Sequence, residues 1–322
     1  MKVLVTGGAG FIGSHFCETL AAHGDEVVII DSFDDFYDPN IKRKNIAGLL
    51  ERGGAELIEA DVCDGVSVAA SLGSRTFDAI VHLAARAGVR PSVERPREYV
   101  RTNIDGTLAM LELARGRDIR SFLFASSSSV YGDTTPVPFT ESEPANFPIS
   151  PYAATKRAAE LICHTYAYLY GMSVACVRLF TAYGPRQRPD LMIHKFASLM
   201  TAGRELPMFG DGGTQRDYTY VDDIVRGLES ALDWVMQAPA GRFEIINLGG
   251  GATTSLAQVV ELLSTALGVT PSVKRLSAQP GDVRRTYANL EKARSLLGYH
   301  PQVSIEEGIS RFARWFREQQ GS

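Results

Sequence analysis

At 322 residues, 45% hydrophobic and 22% charged, the chain can bury a large core and reads as one large or two interlocked domains. A formal net charge of -4 excludes a generally basic surface for nucleic acid or an acidic membrane, and no apolar run reaches the ~18 residues that span a bilayer. Four cysteines (Cys17, Cys63, Cys163, Cys176) stand far apart with no CxxC pair, the pattern of reduced thiols in a cytoplasmic protein, and no histidine spacing suits a metal; His82, inside an apolar run, reads as packed core.

In chain order, residues 3–6 form a buried strand and residues 13–23 a helix, with a second strand at 27–31. Glycines break the first apolar run too early for a secretory leader. Strands follow at 56–61, 79–83, 122–126 and 173–179, each separated by a helix-length segment. Apolar runs with crossover helices between them predict a parallel sheet covered on both faces, a Rossmann-type doubly wound α/β fold. After residue 179 the composition shifts to Gly, Pro and Arg in TAYGPRQRPD and MFGDGGTQRDY, which are loop compositions. Helices recur at 224–236, 255–267 and 305–316. The expected organisation is a dinucleotide-binding domain over 1–180 plus about 215–250, and a smaller, discontinuous substrate-binding domain over 181–214 and 251–322.

Thr6-Gly7-Gly8-Ala9-Gly10-Phe11-Ile12-Gly13 follows a strand and opens a helix. Glycines there allow a tight turn and close approach of backbone to a pyrophosphate, which the helix N-terminus attracts. The second strand ends at Asp31, where a carboxylate accepts from ribose hydroxyls and repels a 2′-phosphate, favouring NAD over NADP. Asp61-Val62 ends the third strand, where an adenine would rest, and Leu83-Ala84-Ala85 ends the fourth with small side chains. With Gly7, Gly10, Phe11, Ile12 and Gly13 they describe one binding trough for NAD.

Tyr152-Ala153-Ala154-Thr155-Lys156 places a phenol and an ammonium one turn apart on a helix that Pro151 starts. Both belong to the expected cofactor site as well, and a nearby ammonium favours the ionised phenol, making Tyr152 a candidate base near neutral pH. Arg188, Arg216 and Arg284, in loop-like segments, suit the bidentate binding of a diphosphate, and Arg90 follows the fourth strand near the sheet's carboxyl edge.

Together TGGAGFIG, Asp31, HLAA, SSSSVYG and YAATK resemble the extended short-chain dehydrogenases acting on nucleotide sugars, over nearly the whole chain. DSFDDFYDPNIKRKNI, AGVRPS and FTAYGPRQRPD resemble the UDP-glucuronate 4-epimerase branch. The resemblance implies Ser127, four places before Tyr131, as a third catalytic residue beside Tyr152 and Lys156. It implies a UDP-sugar bound by Arg216 and Arg284 at the diphosphate, Asp282 at the uridine ribose and Phe209 against uracil, with Arg188 at the nucleotide or the sugar carboxylate. Ser128, Ser129 and Thr181 are the candidate hydroxyl donors for that carboxylate.

The implied reaction interconverts UDP-glucuronate and UDP-galacturonate through a transient 4-keto intermediate, with NAD kept bound. The related 4,6-dehydratases carry acidic residues just after the catalytic Ser or Thr, whereas Ser127 is followed by Ser128, Ser129 and Val130. UDP-glucose or UDP-N-acetylglucosamine 4-epimerase activity uses the same chemistry and is the alternative. A catalytically silent NAD-binding regulator would be expected to lack one of Ser127, Tyr152 and Lys156. The resemblance further implies a homodimer through the helices of 103–113 and 152–170, although their apolar faces would equally suit internal core.

Overall fold

The structure is a computed structural model that describes residues 1–276 and 283–320. Seven strands form one parallel sheet: β1 (Lys2–Thr6), β2 (Glu26–Asp31), β3 (Glu56–Glu59), β4 (Ala79–His82), β5 (Ser121–Ser127), β6 (Ser173–Leu179) and β7 (Phe243–Leu248). Their order is β7-β6-β5-β4-β1-β2-β3, so the chain reverses direction across the sheet between β1 and β4, and a crevice opens beyond the carboxyl ends there. Successive residues of β1 and β2 are buried on opposite faces. Val3, Val5, Val27 and Ile29 pack with Phe16 and Leu20, while Leu4, Val28 and Ile30 pack with Met110 and Phe122. This double burial is why the strands read as continuous apolar runs.

The first helix, Phe11–Ala22, starts two residues before the expected 13, because Gly13 serves close packing rather than helix entry. A Cβ on Gly13 would stand 2.2 Å from the Gly7 carbonyl oxygen. β3 ends at Glu59 rather than at 61, since an edge strand gains nothing from burial there and Asp61 instead accepts the Cys63 amide at 2.9 Å in a turn. β7, which carries Glu244 and Asn247 within its apolar run, has no clean strand pattern in the sequence yet pairs with β6 from Phe243–Val174 to Leu248–Leu179.

The segments beyond β6 pair locally. Thr181–Tyr183 runs parallel to Tyr218–Tyr220, Gln215–Arg216 antiparallel to Thr254–Ser255, and Leu206–Phe209 parallel to Val273–Leu276. Helices Leu256–Leu267 and Ile305–Gln320 cover them, the latter continuing past the expected 316. Their buried residues Leu263, Phe312 and Phe316 belong to the same apolar cluster as Val3 and Val5, so this part packs onto one face of the sheet. Among the described residues no helix is long and apolar enough to cross a membrane.

Candidate active site

A cleft of about 440 Å³ lies along the carboxyl ends of β1, β2, β4, β5 and β6. Its nucleotide end is the glycine loop. Gly7 has φ +71, and a Cβ there would meet the Ala84 amide nitrogen at 2.7 Å, so β1 and β4 approach each other only because the residue is glycine. No side chain caps the N-terminus of Phe11–Ala22, leaving its amides for an anion. Asp31 lies at the end of β2, its Oδ1 accepting from the Phe33 amide at 2.9 Å and its Oδ2 from Ala9 at 3.2 Å. Asp61, Val62, Leu83, Ala84 and Ala85 complete this half of the wall, and all the residues predicted for the cofactor line the one cleft. These glycine contacts and donors fit a dinucleotide.

The other half is built on the helix Pro151–Tyr170, which Ser150 caps by accepting from the Ala153 amide at 3.2 Å, with Pro151 in its first turn and Gly171 in the left-handed conformation at its end. Tyr152 is half-buried and Lys156 buried, and both face the end of β5. Lys156 Nζ donates to the Ala125 carbonyl at 2.7 Å and lies 4.8 Å from the centre of the Phe124 ring. Burial lowers its ordinary value of 10.5 to about 8. Tyr152 lies in the same wall as the Ser127 hydroxyl, and the Tyr99 ring meets it edge-on at 6.2 Å.

The ionisation of Tyr152 differs from the sequence expectation. Burial raises the phenol above its ordinary value, opposed by the neighbouring Ser127 hydroxyl and the Arg188 charge. The Lys156 ammonium is directed at a backbone carbonyl instead, so the protein alone keeps the phenol protonated at neutral pH.

Ser128, Ser129, Thr181 and Arg188 line the cleft beside Ser127 and Tyr152. The Arg188 guanidinium is paired with Asp190 at 2.9 and 2.7 Å and lies 5.1 Å from the Phe36 ring. Arg216 and Arg284 lie outside this wall but on neighbouring segments, since the Gln215 amide donates to the Arg284 carbonyl at 3.0 Å. Arg90 is exposed on the short helix Val89–Glu94 and is not part of the wall either. Phe209 ends the strand Leu206–Phe209, with its side chain outside the description, and Asp282 lies outside the described residues.

The cleft also holds residues that the sequence did not single out by role. Phe36 and Tyr37, from the loop after β2, form an aromatic wall against Arg188. Arg86 joins Asp34 at 2.7 Å and lies 2.8 Å from Glu98 at an angle that makes an ion pair rather than a hydrogen bond. Asn103, buried in a π-helical turn at Arg101–Asp105, donates to the Arg86 carbonyl at 3.0 Å and to Thr155 Oγ1 at 3.0 Å. The run DSFDDFYDP and its aromatics were the only signal for this group. His82 is core as expected: Thr6 and Thr107 hydroxyls flank its ring at 2.7 and 3.2 Å, and burial lowers its value to about 3.

Residues 4–312 match a family model described as GDP-mannose 4,6 dehydratase. The chain is 40% identical to a UDP-glucuronate 4-epimerase of Thermodesulfobacterium geofontis over 98% of its length and 96% of the relative's. It superposes with TM-score 0.90 on a UDP-glucuronic acid 4-epimerase of Bacillus cereus solved with UDP-glucuronic acid and NAD, at 34% identity over 99% of this chain and 100% of that one. A dTDP-glucose 4,6-dehydratase of Streptomyces venezuelae, solved with NAD, superposes as well (TM-score 0.91, 34% identity, 100% and 98% covered). Backbone likeness therefore does not separate epimerase from dehydratase; the side chains of the cleft must.

Proposed function

The chain belongs to the GDP-mannose 4,6-dehydratase family of extended short-chain dehydrogenases, and on that premise we propose that it is a UDP-glucuronate 4-epimerase that keeps NAD bound through its cycle. One observation carries the choice of reaction. The segment after Ser127 that enters the cleft is Ser128-Ser129, with Arg188 in the same wall. The acidic residues of that wall are Asp31, Asp34 and Asp61; Asp31 is held by backbone amides, and the other two are paired with Arg86 and Arg101. Elimination across carbons 5 and 6 of a hexose needs an acid and a base beside the sugar, which this wall does not offer. A guanidinium with hydroxyls suits a sugar carboxylate.

In this reading Gly7, Gly10, Phe11, Ile12, Gly13, Asp31, Asp61, Val62, Leu83, Ala84 and Ala85 hold the dinucleotide. Bound NAD supplies the hydride acceptor and donor and, when oxidised, a positive charge beside the phenol. Tyr152 then takes the proton of the sugar 4-hydroxyl and later gives it back, and Ser127, beside that phenol in the wall, orients the 4-oxygen. Lys156 holds the nicotinamide ribose. Ser128, Ser129 and Thr181 bind the carboxylate with Arg188, displacing part of its bond to Asp190. Arg216 and Arg284 clamp the diphosphate, with Phe209 and Asp282 at the uridine. Arg90 has no assigned part.

The same proposal includes a homodimer. Ala154, Leu161, Thr165 and Tyr168 form an exposed stripe on the Tyr152 helix, with Leu161 53% and Tyr168 80% exposed, and Leu108 of the neighbouring helix lies open too. A cytoplasmic setting suits the four unpaired cysteines.

The test is to supply UDP-glucuronate, UDP-glucose and dTDP-glucose separately, without added NAD, and to separate the products by chromatography. UDP-galacturonate from UDP-glucuronate is the expected outcome. A 4-keto-6-deoxy product refutes epimerisation, and turnover of UDP-glucose alone refutes the carboxylate assignment.

A further inference from the structure

Three consecutive residues of β5 meet three residues of the helix Pro151–Tyr170 spaced four apart. The Ser127 hydroxyl meets Tyr152, the Ala125 carbonyl accepts from Lys156 at 2.7 Å, and the Ser126 hydroxyl donates to Glu160 at 2.6 Å. The first two contacts belong to the proposed reaction centre. The third has no part in it, yet it is the most heavily built. Glu160 is fully buried and also accepts from Arg178 Nε and Nη2, each at 2.8 Å, and from Arg157 Nη1 at 3.0 Å. Arg178, on β6, is 1% exposed and lies 4.6 Å from the Tyr131 ring, and the Tyr131 hydroxyl donates to Asn247 of β7 at 2.8 Å.

An ion pair this deep is a poor device for stability, because desolvating both charges offsets their attraction. Arg178 Nη1 is even left without a hydrogen-bond partner. What the pair does supply is direction: bidentate bonds fix one helix turn against the ends of two strands. We propose that Glu160 is a positioning residue, which, by binding Ser126 and Arg178, sets the register of β5 against the helix and so fixes Ser127 relative to Tyr152 and Lys156. The proposal rests on the epimerase reading of the site.

The groups facing Lys156 make the test sharper than a loss of rate. They are Glu160 and Cys163 on its own helix, Cys176 on β6, His82 on β4, and the Phe124 ring and Ala125 carbonyl on β5. Glu160 is the carboxylate of that set, with Arg178 and Arg157 on its far side. Removing its charge leaves Lys156 a less favourable field and moves its titration to lower pH.

The experiment compares Glu160→Gln, Ser126→Ala and the double variant Glu160→Leu/Arg178→Met, the last removing both buried charges so that the fold survives. Each is purified with its bound nucleotide and assayed for kcat, KM and the pH profile. Displacement by a fraction of an ångström is expected to lower kcat by roughly 10- to 100-fold in the Glu160 variants and less in Ser126→Ala, with KM little changed. In Glu160→Gln the alkaline limb should move to lower pH, which a purely structural role would not produce. Folded Glu160 variants with kcat within about threefold of wild type would overturn the proposal. Should wild type turn over UDP-glucose and not UDP-glucuronate, the substrate reading fails by itself, and the same variants are compared on UDP-glucose.

Discussion

The Lys156 ammonium is buried against Phe124 with a single backbone carbonyl as partner, and its ordinary value of 10.5 falls to about 8. The unfolded chain therefore holds this proton to higher pH than the fold does. The fold carries the full burial cost below pH 8 and sheds it as pH rises from 8 toward 10.5. That cost is roughly 3 kcal/mol, against about 2 kcal/mol for a hydrogen bond from a charged donor to the Ala125 carbonyl. Lys156→Met should accordingly raise the Tm of the nucleotide-free protein at pH 7 while abolishing turnover; calorimetry of both proteins stripped of nucleotide, beside an activity assay, checks both, and a lowered Tm would show that the carbonyl bond dominates. Tyr152 is tested differently. Tyr152→Phe removes the hydroxyl that carries the proton but leaves the ring packed against Tyr99. It should retain UDP-sugar binding by titration calorimetry while kcat falls by about 10²–10⁴, the range of general acid–base help. Both residues were legible in the sequence because one helix turn separates them. Glu160 was not, because its partners Ser126 and Arg178 lie 34 and 18 residues away and only the sheet brings them together.

One element sets the shape of the sugar end: the loop of residues 32–38, which leads from β2 into the helix Pro39–Glu51. It starts beside Asp31 in the nucleotide half and delivers Phe36 and Tyr37 to Arg188 in the other. Arg86 fastens it through Asp34 on the loop and Glu98 on the short helix Pro96–Val100, with Asn103 holding the Arg86 backbone, and Lys42 adds a bond to the Asp34 carbonyl at 3.2 Å. Arg86→Met should therefore free the aromatic wall and raise KM for the UDP-sugar by roughly tenfold with a smaller change in kcat, the signature of lost uniform binding. Steady-state kinetics decide it, and an unchanged KM would show that the loop keeps its place without the ion pairs. The sequence displayed the loop's aromatics and acids but not their partners, since ion pairs across 52 residues leave no periodic trace. Strands buried on both faces were read almost to the residue, whereas edge strand β3 and the polar-interrupted β7 were not.

At the scale of the whole molecule, the same helix that presents Tyr152 and Lys156 to the cleft turns Ala154, Leu161, Thr165 and Tyr168 outward. Spacings of three, four and seven place them on one stripe, the geometry by which helices pack in bundles. The sequence left open whether this face was internal core, because apolar spacing is the same in both cases; the fold leaves it exposed, while Ala159, Cys163, Tyr166 and Ala167 of the same helix are buried. A tyrosine 80% exposed beside a leucine 53% exposed is apolar surface that a second copy would cover. Two such helices meeting about a twofold axis would form an isologous interface, in which Leu161 and Tyr168 of each copy meet the same face of the other. Leu161→Glu/Tyr168→Glu puts four carboxylates into that contact and costs little in a lone chain, where both side chains face solvent. Sedimentation at micromolar concentration should then give a dimer of the wild type and a monomer of the variant with unchanged helical circular dichroism. A wild-type monomer under those conditions would remove the dimer from the proposal and leave the assignments of the cleft's lining residues as they stand.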